Sequence, residues 1–197
     1  MPIAADPATT VLVDMDGVLC DFDSAVLRGL PDDLERVPRS NFYIAKDYPD
    51  HKALVAEVYS HPEFFYELEP IDGALEGWQR LVDLGYSPRI CSAPLTLNPK
   101  SVEGKQDWLR RHLAPAFGES VVDDAIFDKQ KHLYQGLAII DDRPTMETGD
   151  GPAPWTHIVF DAAYNRHVPD SVARLRGWRD PNLGPLLDSL VARGSVA

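Results

Sequence analysis

Asp14 and Asp16, separated by Met15, follow the apolar run Val11-Leu12-Val13 and precede Gly17. Carboxylates gathered at one point bind a hard divalent cation through oxygen. An aspartate can also attack a phosphoryl group to form an aspartyl-phosphate, while a second carboxyl moves protons. Asp-x-Asp-Gly occurs in calcium loops as well, so the rest of the chain must decide. Three further features bear on it. Ile90-Cys91-Ser92 ends on a hydroxyl, Leu137-Ala138-Ile139-Ile140 runs into Asp141-Asp142, and Lys131 lies between these two stretches.

These groups need a scaffold that brings them together. Residues 11–15 read as a short buried strand, and Gly17 permits a sharp turn. Residues 87–92, 121–127, 137–140 and 157–160 read as four more strands. Helical spacing appears over 21–35, with Pro31 ending or kinking that helix, and over 73–84, 101–113 and 183–193. Strands alternating with helices predict an α/β fold with a doubly wound parallel sheet. In such a sheet, ligands bind at the carboxyl ends of the strands, near a switch in strand order. Asp14 and Asp16, Ser92, and Asp141 and Asp142 would then share one edge.

Residues 21–69 break the alternation. They hold Pro38, Pro49 and Pro62 among many aromatics, with one short helix over 51–59. They read as a small helical cap inserted after the first strand, leaving 1–20 and 70–197 as the core. Residues 1–10 read as a loose lead-in and 149–154 as a surface loop.

The chemistry that follows is phosphoryl transfer. Asp14 would attack phosphorus, and Asp16 would protonate the leaving oxygen and then activate water. Asp14, Asp141 and Asp142, with Asp16 beside them, would hold Mg²⁺. Ser92 would donate to a phosphate oxygen. Lys131 would balance the developing charge, with Lys129 its local competitor. Lys105, opening the helix after the second strand, is either a further phosphate contact or a surface residue.

Composition bounds the partners. The 197 residues carry a formal net charge of -12, which argues against nucleic-acid polymers and anionic membranes. A small anionic substrate remains compatible, since a metal ion and a few basic groups reverse the local sign. No apolar run approaches the ~20 residues of a membrane span, and Met1 to Thr10 lacks a signal pattern. Cys20 and Cys91 form no disulfide framework. A cytoplasmic location is expected.

Asp14-Met15-Asp16-Gly17-Val18, Ile90-Cys91-Ser92, Lys131 and Ile140-Asp141-Asp142 resemble the four motifs of haloacid dehalogenase (HAD)-superfamily phosphatases. Asp16 fits phosphatases and not dehalogenases, whose pattern lacks it. Residues 14–22 are similar to the opening of 5'(3')-deoxyribonucleotidases, as are 64–70, 141–144 and 155–160. The likeness runs from about 11 to 190 and is weakest over 30–58.

The resemblance implies a HAD-like, Rossmann-type core with a small helical cap, Mg²⁺ as cofactor, and hydrolysis of nucleoside monophosphates. It also implies that Phe22, Phe42 and Tyr43 stack the nucleobase. A homodimer is common in the family. The family's Thr-Ser-Pro is here Ser92-Ala93-Pro94, so Ala93 keeps only its backbone N–H to offer the phosphate or base. Base preference is thereby less defined than reaction class. A HAD phosphatase for another small phosphomonoester, such as a sugar phosphate or modified nucleotide, is the alternative.

Overall fold

A computed structural model describes residues 6–194. The strand β1 (Thr10–Val13) is buried along its whole length. Val11 and Val13 enter the main hydrophobic cluster, while Leu12 enters a smaller one with Cys91, Ile126, Ile139 and Trp155. Alternate side chains face opposite sides of a sheet. An unbroken apolar strand therefore needs both faces covered, which helices do in a parallel sheet.

After β1 come α1 (Phe22–Gly29), 3-10 turns at Ile44–Lys46 and Pro49–His51, and α2 (Lys52–Ser60). Asp21 caps α1 by accepting from the Ser24 N–H at 3.1 Å. The helix stops at Gly29, just before Pro31, the residue expected to end or kink it. Pro31 disfavours helical geometry in the residue before it, and Leu30 is extended, with ψ 149°. Val26, Leu30, Ile44, Tyr48 and Val55 are buried in the same cluster as the sheet's main face. The segment therefore packs continuously onto the core.

The chain then runs through α3 (Ala74–Asp83), β2 (Ser87–Ser92), α4 (Ser101–His112), α5 (Ala114–Phe117), α6 (Ser120–Asp123) and β3 (Ile126–Phe127). It continues with β4 (Ala138–Asp141), β5 (Thr156–Phe160), β6 (Arg174–Leu175) and α7 (Leu183–Gly194). All pairings are parallel, in the order β3-β2-β1-β4-β5-β6. Strand order therefore reverses at β1, and a crevice opens between β1 and β4.

Two elements differ from the sequence reading. The strand predicted over 121–127 is two residues long, because Ser120–Asp123 form a helical turn closed by the Asp124 N–H donating to the Ser120 carbonyl at 2.9 Å. β6 was not foreseen; two residues carry no readable alternation. The lead-in expected over 1–10 lies partly outside the described residues. From Asp6 onward it is tied down, with the Thr10 N–H donating to the Asp6 carbonyl at 3.0 Å.

Candidate active site

Asp14 is the first residue beyond β1, and its N–H donates to the Ile140 carbonyl at 3.0 Å. This bond keeps the chain paired with β4 and fixes the carboxylate at the crevice. Asp14 Oδ1 accepts from the Met15 N–H at 2.7 Å. Asp14 Oδ2 lies 2.9 Å from Lys131 Nζ, and the same ammonium reaches Asp141 Oδ2 at 2.6 Å. Asp141 Oδ1 accepts from the Arg143 N–H at 2.9 Å.

Lys131 is buried, in a 3-10 turn at Lys131–Leu133. Burial disfavours its charge, but Asp14 and Asp141 outweigh burial and raise its pKa. Burial likewise works to raise Asp14, yet Lys131 and then Lys105 hold its carboxyl below the ordinary range. Asp14 is therefore kept ionised.

A second buried lysine organises the other side. Lys105 Nζ donates to Asp16 Oδ2 at 2.8 Å, Ser92 Oγ at 2.8 Å and the Ala93 carbonyl at 2.9 Å. The surface reading of Lys105 is overturned: only 1% of the residue is exposed. Its neighbour Gly104 is the reason α4 can approach so closely, because a Cβ there would meet Phe65 Cβ at 2.9 Å. Asp16 Oδ1 is buried without a hydrogen-bond partner. Burial raises the Asp16 carboxyl pKa, and Lys105 offsets this only in part. A carboxyl held above the ordinary range is suited to giving up a proton near its operating pH.

Asp142 is placed differently from Asp141. Tyr164 donates its hydroxyl to Asp142 Oδ2 in a short hydrogen bond. Asn165 Nδ2 donates to the Asp142 carbonyl at 2.8 Å and the Phe160 carbonyl at 2.7 Å. Asn165 Oδ1 in turn accepts from Arg174 at 2.8 Å. Asn165 thus ties the end of β4 to the end of β5. Gly17 has φ 73°, and a Cβ on it would lie 2.5 Å from Asp142 Oδ2 and 3.1 Å from the Tyr164 hydroxyl. Sequence reasoning did not single out Tyr164; a single 3-10 turn, Ala163–Asn165, is too short to carry a periodic signal.

One cavity of about 490 Å³ joins these groups to the aromatics. Asp14, Asp16, Lys131 and Ala93 line it together with Phe22, Phe42, Tyr43 and Tyr59. Phe22 packs edge-on to Phe64 with ring centroids 5.2 Å apart. Phe42 is edge-on to Tyr43 at 5.1 Å. The Arg143 guanidinium lies over the Phe42 ring at 4.9 Å and lines the cavity. Lys129 donates to the Thr96 hydroxyl at the cavity edge and leaves the inner cluster to Lys131.

Residues 8–192 match the family model of the 5' nucleotidase, deoxy (pyrimidine), cytosolic type C proteins. The chain belongs to this family. It is 37% identical over 192 residues to the human cytosolic-type 5'(3')-deoxyribonucleotidase, covering 91% of this chain and 93% of the human one. A Bordetella bronchiseptica protein that carries a provisional 5'(3')-deoxyribonucleotidase name is 39% identical over 188 residues, or 91% of this chain and 98% of that one. Among solved structures, the HAD-hydrolase YfnB of Bacillus subtilis, bound to magnesium, superposes with a TM-score of 0.51 at 16% identity, covering 86% of this chain and 94% of that chain. That likeness establishes a HAD fold. Membership makes this nucleotidase-family chain a phosphoric monoester hydrolase.

The acidic groups of this family member fit a hard cation. One carboxylate oxygen each from Asp14, Asp141 and Asp142 lie within 4.8 Å of one another. Lys131 is the ammonium among them, so three buried carboxylates face an excess of negative charge. Burial, and then repulsion from Asp141 and Asp14, push the Asp142 carboxyl far above its ordinary range. An oxygen-ligated divalent ion suits that donor set. The Asp16 carboxylate stands outside the cluster, because it is turned to Lys105. Both thiols are buried, and burial pushes Cys91 up to about 12 and Cys20 well above its ordinary value, which leaves both unreactive.

Proposed function

We propose that this chain is a Mg²⁺-dependent phosphomonoesterase that converts (deoxy)nucleoside 5'- or 3'-monophosphates to nucleoside and phosphate through an aspartyl-phosphate. The observation that carries the reading is one cavity lined both by Asp14 and by Phe22, Phe42 and Tyr43. A nucleotide has the same two parts, a charged phosphate and a flat apolar base.

In this reading Asp14, ionised beside Lys131, attacks phosphorus through a carboxylate oxygen. The bond from phosphorus to the nucleoside oxygen breaks, and Asp16 gives that oxygen its proton. Asp16, now a carboxylate, takes a proton from water, whose oxygen attacks phosphorus and releases phosphate from Asp14. Ser92, the Ala93 N–H, Lys105 and Lys131 bind the phosphate oxygens and offset their charge. Asp14, Asp141 and Asp142 would hold Mg²⁺, which supplies charge neutralisation and orientation of the phosphate. Phe22, Phe42 and Tyr43 stack the base, a contact that tolerates any base and selects modestly.

Residues 21–69 would act as the small helical cap over a core of 1–20 and 70–197. Among the described residues no helix is long and apolar enough to cross a membrane. The human cytosolic-type relative supports a cytoplasmic setting.

The test is phosphate release with Mg²⁺ from dUMP, dTMP, UMP, dGMP, 3'-dUMP, a sugar phosphate and p-nitrophenyl phosphate. Preference for deoxynucleotides over the generic ester is expected. Equal turnover of sugar phosphates and nucleotides would replace the nucleotidase reading with a broader phosphatase.

A further inference from the structure

Tyr164 belongs to none of the motifs that mark the site, yet it touches both halves of it. Its hydroxyl donates to Asp142 Oδ2. Its ring is a wall of the aromatic cavity. Two contacts fix that ring: the Arg39 guanidinium lies over one face at 4.5 Å, and Phe42 is edge-on with centroids 5.9 Å apart. Arg39 is itself held by Asp23 at 2.8 Å and by Asp47. The absence of a side chain at Gly17 leaves room for the bond, since a Cβ there would stand 2.5 Å from the accepting oxygen.

We propose that Tyr164 is a positioning residue: its hydroxyl holds the Asp142 carboxylate in the orientation that receives a divalent cation. The proposal rests on the reading of Asp14, Asp141 and Asp142 as the cation site. A carboxylate held through one oxygen presents the other in a fixed direction, so less orientational freedom is lost when a cation binds. Asp141 has a comparable restraint, because one of its oxygens is on Lys131 and the other on the Arg143 N–H. Tyr164 supplies for Asp142 what those two groups supply for Asp141. The restraint originates in the helical segment, because Arg39 and Phe42 fix the ring. The base wall and the cation ligand are thus parts of one packed unit.

The experiment measures Mg²⁺ binding calorimetrically to the full chain, without substrate, in wild type, Tyr164→Phe and Tyr86→Phe. The last variant removes an equivalent hydroxyl-to-carboxylate bond, from Tyr86 to Asp188 at 3.0 Å, away from the cavity. Loss of an outer hydrogen-bond partner of a metal ligand costs ~10–100-fold in metal affinity. Tyr164→Phe is expected to bind Mg²⁺ at least ~10-fold more weakly, and Tyr86→Phe to match wild type. In turnover assays Tyr164→Phe should need more Mg²⁺ for half-maximal rate and regain most of kcat at saturating Mg²⁺.

Unchanged Mg²⁺ affinity in Tyr164→Phe, with wild type binding normally, would overturn this proposal alone. Equal weakening in both variants would also overturn it, as a general loss of stability. A wild type that binds no Mg²⁺ would overturn the cation site itself.

Discussion

Lys105 Nζ lies 2.8 Å from Asp16 Oδ2, joining a helix residue to a turn 89 positions earlier. Only 1% of the lysine side chain and 27% of the aspartate side chain are exposed. The pair does two jobs. It keeps the carboxyl of Asp16 from rising further than burial alone would drive it, and it presents an ammonium beside Ser92.

Lys105→Met keeps the length of the side chain and removes the charge. With the ammonium gone, Asp16 loses the partner of its Oδ2, while its Oδ1 already has none. The loss of a charge-assisted contact to the transferring group is expected to lower kcat/KM by about 10²–10³-fold. Steady-state kinetics on dUMP reads this. An effect below ~3-fold would return Lys105 to a purely structural role.

Asp14→Asn should abolish turnover, because an amide is a poor nucleophile. A residual rate at least ~10⁴-fold below wild type is expected. Asp16→Asn should slow both steps while leaving Mg²⁺ binding largely intact, since its carboxylate is outside the acidic cluster. Trapping of labelled phosphate on the protein after an acid quench separates the two. It is expected to be absent in Asp14→Asn, which lacks the carboxylate that would be phosphorylated, and raised in Asp16→Asn, where the group that activates water is lost.

The difference between these residues and Lys105 marks what one sequence discloses. Asp14, Ser92, Asp141 and Asp142 each end or follow a short apolar run, and parallel strands bring such ends to one edge. Their meeting was therefore legible. The burial of Lys105 was not, because it depends on Gly104 letting α4 pack against Phe65, a contact between distant segments. Tyr164 was missed for the same reason: its bond to Asp142 crosses between two loops. The two-residue strands β3 and β6 are too short for any period to appear.

Gly17→Ala tests how tightly the first turn is packed against Asp142. The residue has φ 73°, and the added Cβ would lie 2.5 Å from a carboxylate oxygen. Gly85→Ala is the control: Gly85 has φ 85° and nothing within 4 Å of its Cβ, and it ends α3 with the Tyr86 N–H donating to the Leu81 carbonyl at 3.0 Å. Backbone strain of ~1–2 kcal/mol is common to both. Gly17→Ala should therefore melt at a lower temperature than Gly85→Ala and lose most of its activity. Equal melting temperatures would mean that the carboxylate moves aside at no cost.

Acid sensitivity should originate partly in Asp47. Its carboxylate accepts from Asn41 Nδ2 at 2.7 Å, the Ser40 hydroxyl at 2.8 Å and Arg39. Burial opposes its ionisation, but the Asn41, Ser40 and Arg39 bonds outweigh burial and hold its pKa below the ordinary 3.8. A folded pKa below the unfolded one stabilises the protein above the unfolded value. That stability is lost as pH falls through 3.8 toward the folded value. Asp47→Asn should cost about 1–3 kcal/mol at pH 7. The gap to wild type in urea titrations should narrow below pH 3.8. A gap independent of pH would exclude Asp47 as a source of acid lability.

The aromatic wall gives the prediction that separates base binding from phosphate chemistry. Phe42 sits between the Tyr43 and Tyr164 rings, with the Arg143 guanidinium 4.9 Å above it. Phe42→Leu keeps an apolar side chain in this packing and removes the flat face. Base–aromatic stacking is worth about 1–3 kcal/mol by truncation, so KM for dUMP should rise roughly 5–150-fold. p-Nitrophenyl phosphate brings its own small ring and no base, and its KM should change much less. The kcat for either substrate should fall only slightly, because the Phe42 ring packs on Tyr43, Tyr164 and the Arg143 guanidinium. If both substrates lose affinity equally, Phe42 supports the site's general shape and the base is recognised elsewhere in the cavity.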